Sequence, residues 1–107
     1  MNILEGSKEF SKQDTYRMTH NRSVSLKDAV GRNLTVEDWL RYEDTNSRGE
    51  NVKVLVLATE IGLCSTISET FTEAFLDIAD AFPLPVQINV IGGQTKSGRD
   101  FITCELA

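Results

Sequence analysis

Six residues in this 107-residue chain combine flat aromatic rings with fixed positive charge. Trp39, Arg41 and Tyr42 lie close together in one segment, and Lys96, Arg99 and Phe101 in another. Such a mixture suits a non-covalent grip on single-stranded nucleic acid. Phosphates attract Lys and Arg, and unstacked bases lie flat on exposed aromatic rings. Lys53, Tyr16, Arg17 and Arg32 extend the candidate set. Covalent chemistry has much less to draw on. The single histidine, His20, has no second histidine to share a metal, and Ser65 and Ser68 have no visible base. Glu37-Asp38 and Glu43-Asp44 are adjacent pairs, so on a strand their side chains point to opposite faces. No catalytic residue, metal or cofactor is expected.

Gly92-Gly93-Gln94-Thr95-Lys96-Ser97-Gly98-Arg99 invites a phosphate-loop reading and fails it. A phosphate loop carries its lysine after the last glycine and opens a helix. Here Lys96 precedes Gly98 and strand-forming residues follow. A mobile hairpin tip carrying two cations is the better expectation.

Charge is unevenly spread. The net charge is −5. Residues 1–53 balance nine cations with nine anions, whereas residues 54–91 hold Glu60, Glu69, Glu73, Asp77 and Asp80 with no Lys or Arg. The acidic excess therefore falls on one segment and leaves another face free to be neutral or basic. Cys64 and Cys104 sit in apolar contexts and read as reduced, packed thiols. No apolar run is long enough for a membrane helix. The N-terminus lacks the basic region and apolar core of a leader peptide, so no membrane partner is expected.

The elements that must position these residues follow from periodicity. Size argues for one domain spanning 1–107. Ile3, Leu4 and Phe10 suggest an edge strand or packing arm, and residues 15–19 have strand-like composition. Ser25 and Gly31 could bracket one helical turn. Residues 33–44 alternate as a strand, with Leu34, Val36, Leu40 and Tyr42 on one parity and Asp38 interrupting it, which suits a bulge. A short helix capped by Thr35 competes for this stretch. Residues 52–59 form a strand buried on both faces, and residues 60–68 a loop. A helix follows, capped by Ser65 or Ser68 and stopped before Pro83, with Ile67, Phe71, Ala74, Phe75, Ile78 and Phe82 as its apolar stripe. Residues 86–91 and 101–106 close as a hairpin, with Ile102, Cys104 and Leu106 inward and Phe101 outward. The expected fold is mainly β with one helix: an oligonucleotide-binding (OB)-like five-stranded barrel, the helix between strands 3 and 4.

Val52–Ala58, Gly62-Leu63, Ile67-Ser68-Glu69-Thr70, Leu76-Asp77-Ile78, Lys96-Ser97-Gly98-Arg99 and Phe101–Leu106 resemble, in order and spacing, the single-stranded-DNA-binding proteins of small tailed phages that replicate by protein priming. The resemblance covers residues 52–106, and the first 50 residues match loosely. It implies sequence-tolerant coating of displaced single-stranded DNA during phage replication, in the cytoplasm of the infected bacterial host. It further implies self-association on DNA, contact with phage replication proteins, and neither cofactor nor catalysis. Many bacterial-type relatives end in an acidic tail. Here Glu105-Leu106-Ala107 follow the last strand directly, so no tail docking is expected. The rival reading is a small acidic interaction module, an inhibitor or DNA mimic acting through its helix.

Overall fold

The computed structural model describes all 107 residues. Seven strands, two α-helices and a short 3-10 turn build it. In chain order they are β1 (Asn2–Gly6), α1 (Lys12–His20), β2 (Val24–Ser25), the 3-10 turn (Leu26–Ala29), β3 (Asn33–Thr45), β4 (Asn51–Thr59), β5 (Gly62–Thr66), α2 (Glu69–Ala81), β6 (Val86–Gln94) and β7 (Asp100–Leu106). The strands form one curled mixed sheet in the order β2-β5-β4-β3-β6-β7, with β1 also paired to β3. The result is a half-barrel. Neither helix is long and apolar enough to cross a membrane.

The long strand β3 organises the sheet. Its first residues, Asn33–Val36, pair with β6, and Leu40–Glu43 pair with β1. On its other edge β3 pairs with β4, and the register shifts between Val36 and Asp38. That bulge fulfils the expectation raised by Asp38, and its consequence is large. One extra residue exchanges the faces. Leu34 and Val36 enter the main core with Leu55, Leu57, Phe71, Phe75 and Ile88. Leu40 and Tyr42 enter a second cluster on the opposite face, with Met18 and Val56. β4 is buried on both sides because it serves both clusters.

Two expected elements differ. Residues 15–19 belong to helix α1, not to a strand. The Ser11 hydroxyl accepts from the Asp14 amide at 3.1 Å, Asp14 lies in the first turn, and Arg17 and His20 lie in the last. Cap and dipole complementarity thus outweigh the strand-like composition. Residues 62–66, expected in a loop, form β5. Gly62 adopts φ +104° and closes the turn from β4, so Leu57 pairs with Cys64. The protein therefore has two α-helices instead of one, and α2 lies between its fifth and sixth strands.

Helix α2 begins as its sequence predicts. Ser68 is the N-cap, and its hydroxyl accepts from the Phe71 amide at 3.2 Å. Phe71 and Phe75 are fully buried, with Ala74 and Ile78 packed beside them. The two ends of the expected stripe leave the core. Ile67 precedes the helix and is 64% exposed, and Phe82 forms the exposed C-cap.

Candidate nucleic-acid interface

The bulge in β3 decides where the first candidate cluster goes. Trp39 lies opposite Leu57 on the α2 side of the sheet, and its ring meets Phe75 edge-on at 6.1 Å. It is half-buried, packed against the main core beside Leu76 and Ala79. Arg41 donates to the Glu5 carboxylate at 2.6 Å, which ties β3 to β1. Tyr42 is only 9% exposed, packed in the Met18 cluster. Burial, followed by the nearby Asp44 charge, raises its phenol pKa. The expected Trp39-Arg41-Tyr42 stacking face is thus divided: Trp39 packs against the main core, Tyr42 packs in the Met18 cluster on the opposite face, and Arg41 is held by Glu5.

The second cluster stays at the surface. Phe101 lies opposite Gly93 across the β6–β7 ladder and is 37% exposed. Its ring covers that glycine so closely that a Cβ there would stand 2.7 Å from the ring's Cζ. Gly93 therefore leaves the room that the ring occupies. Lys96 and Arg99 occupy the adjoining tip. That tip is a hydrogen-bonded turn: the Thr95 amide donates to the Arg99 carbonyl at 2.8 Å, and Gly98 takes φ +84°. Cys104 is buried as expected, Ile102 is half-buried, and Leu106 is exposed instead of inward.

Phe101 opens onto a groove of about 430 Å³ at the seam of the half-barrel. One wall is the start of β7, with Phe101 and Ile102, and the other is Thr66, Ile67 and Ser68, leading into α2. Lys27 stands at its edge. A second hollow, of about 260 Å³, contains Val52 and Lys53 at the base of the β3–β4 hairpin. Ile67 lines both. The two hollows adjoin at that one exposed side chain, and together they mark a track between the β3–β4 hairpin and the start of β7.

The track carries both signs of charge. Glu43, Glu69 and Asp100 line it alongside Lys27 and Lys53. Asp100 accepts from Gln94 Nε2 at 2.9 Å. None of Lys27, Lys53, Lys96, Arg99 or Arg48, the last in the β3–β4 tip, is in an ion pair. Those cations are free to meet phosphates. Lys27 and Ile67 are the members that sequence reasoning missed. The spacing of Ile67 from Phe71 suits a helical stripe and so disguises it as helix core.

The remaining candidates lie off the track. Tyr16 and Arg17 are on α1, where Arg17 pairs with Asp14 at 3.2 Å. Arg32 lies in the turn before β3, where its amide donates to the Ala29 carbonyl. Its charge partly offsets the burial that raises the Cys64 thiol pKa. Cys104 is pushed up to about 12 by burial. Both cysteines are free and buried, as packing residues should be. The chain matches no family model, no curated protein and no solved structure.

Proposed function

We propose that this protein binds single-stranded DNA with little sequence preference, along the track from Lys53 over Ile67 to Phe101. The observation that carries the reading is the shared position of Ile67 between two hollows that end at two hairpins bearing unpaired cations. Strand order supports it. The five strands β3 to β7 lie in the sheet as β5-β4-β3-β6-β7, with α2 connecting β5 to β6. An OB barrel has its helix between its third and fourth strands, and it binds oligonucleotides across strands 2 and 3 and the loops 1–2 and 4–5. In that frame β1, α1 and β2 are additions. α1 covers the outer face of β4, so what the frame leaves open for binding is the two loops, which carry Arg48, Lys96 and Arg99.

The physical division of labour is simple. Cations at the hairpins hold phosphates, and the flat Phe101 ring and the exposed Ile67 side chain offer apolar surface to bases. No bond is made or broken, so the binding is stoichiometric and not catalytic. Following the resemblance, the setting is phage DNA replication in the cytoplasm of the infected host, beside phage replication proteins.

Titrating a fluorescein-labelled oligothymidine with the protein tests the reading. Saturable anisotropy at low salt, weakening as salt rises, supports it, because phosphate binding releases counterions. No binding at low salt would refute it. A second reading draws on Glu69, Glu73, Asp77 and Asp80, exposed on α2 and absent from every ion pair. In that reading the protein is an interaction module, and charge reversal on α2 abolishes its activity. The same reversal leaves DNA binding intact or tighter if the first reading holds.

A further inference from the structure

The two helices lie on opposite faces of the sheet. Met18 of α1 packs with Val56, whereas Phe71 and Phe75 of α2 pack with Leu55 and Leu57. Alternate residues of β4 thus hold the helices apart, and their outer faces point away from each other.

Those faces are complementary in charge. On α1, Tyr16 is 61% exposed and lies flat on the His20 ring, with centroids 4.2 Å apart and planes at 8°. Stacking holds the phenol ring in place, and Lys12 and Arg17 border it. On the α2 side, Trp39, Leu76 and Ala79 floor a pocket of about 370 Å³. Its rim carries Asp77 and Asp80, neither of them ion-paired, together with Glu5, which holds Arg41. One face presents an aromatic ring beside the unpaired Lys12 and beside Arg17, whose guanidinium also holds Asp14 at 3.2 Å. The other offers an apolar hollow rimmed by carboxylates.

We propose that Tyr16 of one copy of this chain docks into the Trp39-Leu76-Ala79 pocket of the next, with Lys12 and Arg17 facing Asp77 and Asp80. The occupant is a second copy because the chain itself carries the complementary face. A rigid aromatic anchor bordered by an arginine is the kind of group that dominates protein interfaces. The contact is heterologous, since the two surfaces differ. With the surfaces on opposite sides of the molecule, it propagates as an open array instead of closing as a two-fold dimer. It requires no DNA and does not rest on the track described above.

Sedimentation velocity without DNA tests this. The wild-type chain assembles beyond a dimer as concentration rises, and moderate salt reverses the assembly. Two variants, K12Q/Y16S/R17Q and D77K/D80K, are each monomeric, with unchanged circular dichroism. Mixed, they form a one-to-one dimer and nothing larger, because only one intact pair of faces remains. Trp39, the only tryptophan, reports the same contact through its emission, which changes on mixing. A wild-type chain that stays monomeric at millimolar concentration in low salt overturns the proposal, as do variants that still assemble or a mixture that does not dimerise.

Discussion

Phe101 is the residue whose replacement tests the stacking argument most sharply. Alanine there would confuse two effects. The residue is 37% exposed, so about two thirds of its surface is covered, and its ring closely approaches Gly93. At about 25 cal/mol per Å², that burial contributes up to about 3 kcal/mol to stability, an upper bound because the unfolded chain also covers some of it. Leucine keeps most of the apolar contact and removes the aromatic plane. Phe101→Leu should therefore stay folded and lose only stacking. A stacked base contributes about 1–3 kcal/mol, so affinity for an oligothymidine should fall about 5- to 150-fold. The fall should be the same at every salt concentration, since no phosphate contact has changed. Anisotropy of a labelled oligonucleotide at several salt concentrations measures both quantities. Affinity within a factor of two of wild type, in a variant with unchanged melting, would refute the stacking role. A changed salt slope would show that the leucine had disturbed the cations.

Three further outcomes follow from particular side chains. Replacing Lys53, Lys96 and Arg99 together by Gln should weaken binding and reduce the slope of log K against log salt by about 0.7 for each phosphate no longer neutralised, with stability nearly unchanged because none is ion-paired. Ser68→Ala removes the cap hydrogen bond to the Phe71 amide and should cost about 1 kcal/mol, read as a lower melting temperature. Stability should decline above about pH 9. Burial raises the Cys104 thiol from 9.0 to about 12, so between those values the unfolded chain releases a proton that the folded one retains. Folding then loses about 1.4 kcal/mol per pH unit from this group, the raised Cys64 and Tyr42 act in the same direction, and Cys104→Ala should flatten the pH dependence of melting.

The sequence is most legible where one periodicity has one cause. The α2 stripe, the Ser68 cap, the final hairpin and the bulge at Asp38 all follow from patterns confined to single elements. The position of Trp39 does not follow, even with a bulge at Asp38 expected. The bulge transfers Leu40 and Tyr42 to a second cluster, a face that exists only because α1 covers it. α1 itself is obscured because Thr15, Tyr16 and Thr19 favour strands, while its cap at Ser11 lies upstream of that strand-like segment. The site is legible in part. Phe101, Lys53, Lys96 and Arg99 are exposed on or beside the track, but Ile67 and Lys27 join it only through the packing of distant segments around the seam.

The most direct test of the central claim is a map of backbone amide shifts, by 15N-labelled NMR, as an oligothymidine is added. The account predicts that shifts concentrate at Lys53, Ile67, Gly93, Phe101 and the 95–99 tip, and leave Tyr16, Asp77 and Asp80 unmoved at concentrations where the protein is monomeric. Shifts concentrated on α1, or no saturable shifts at low salt, would contradict it.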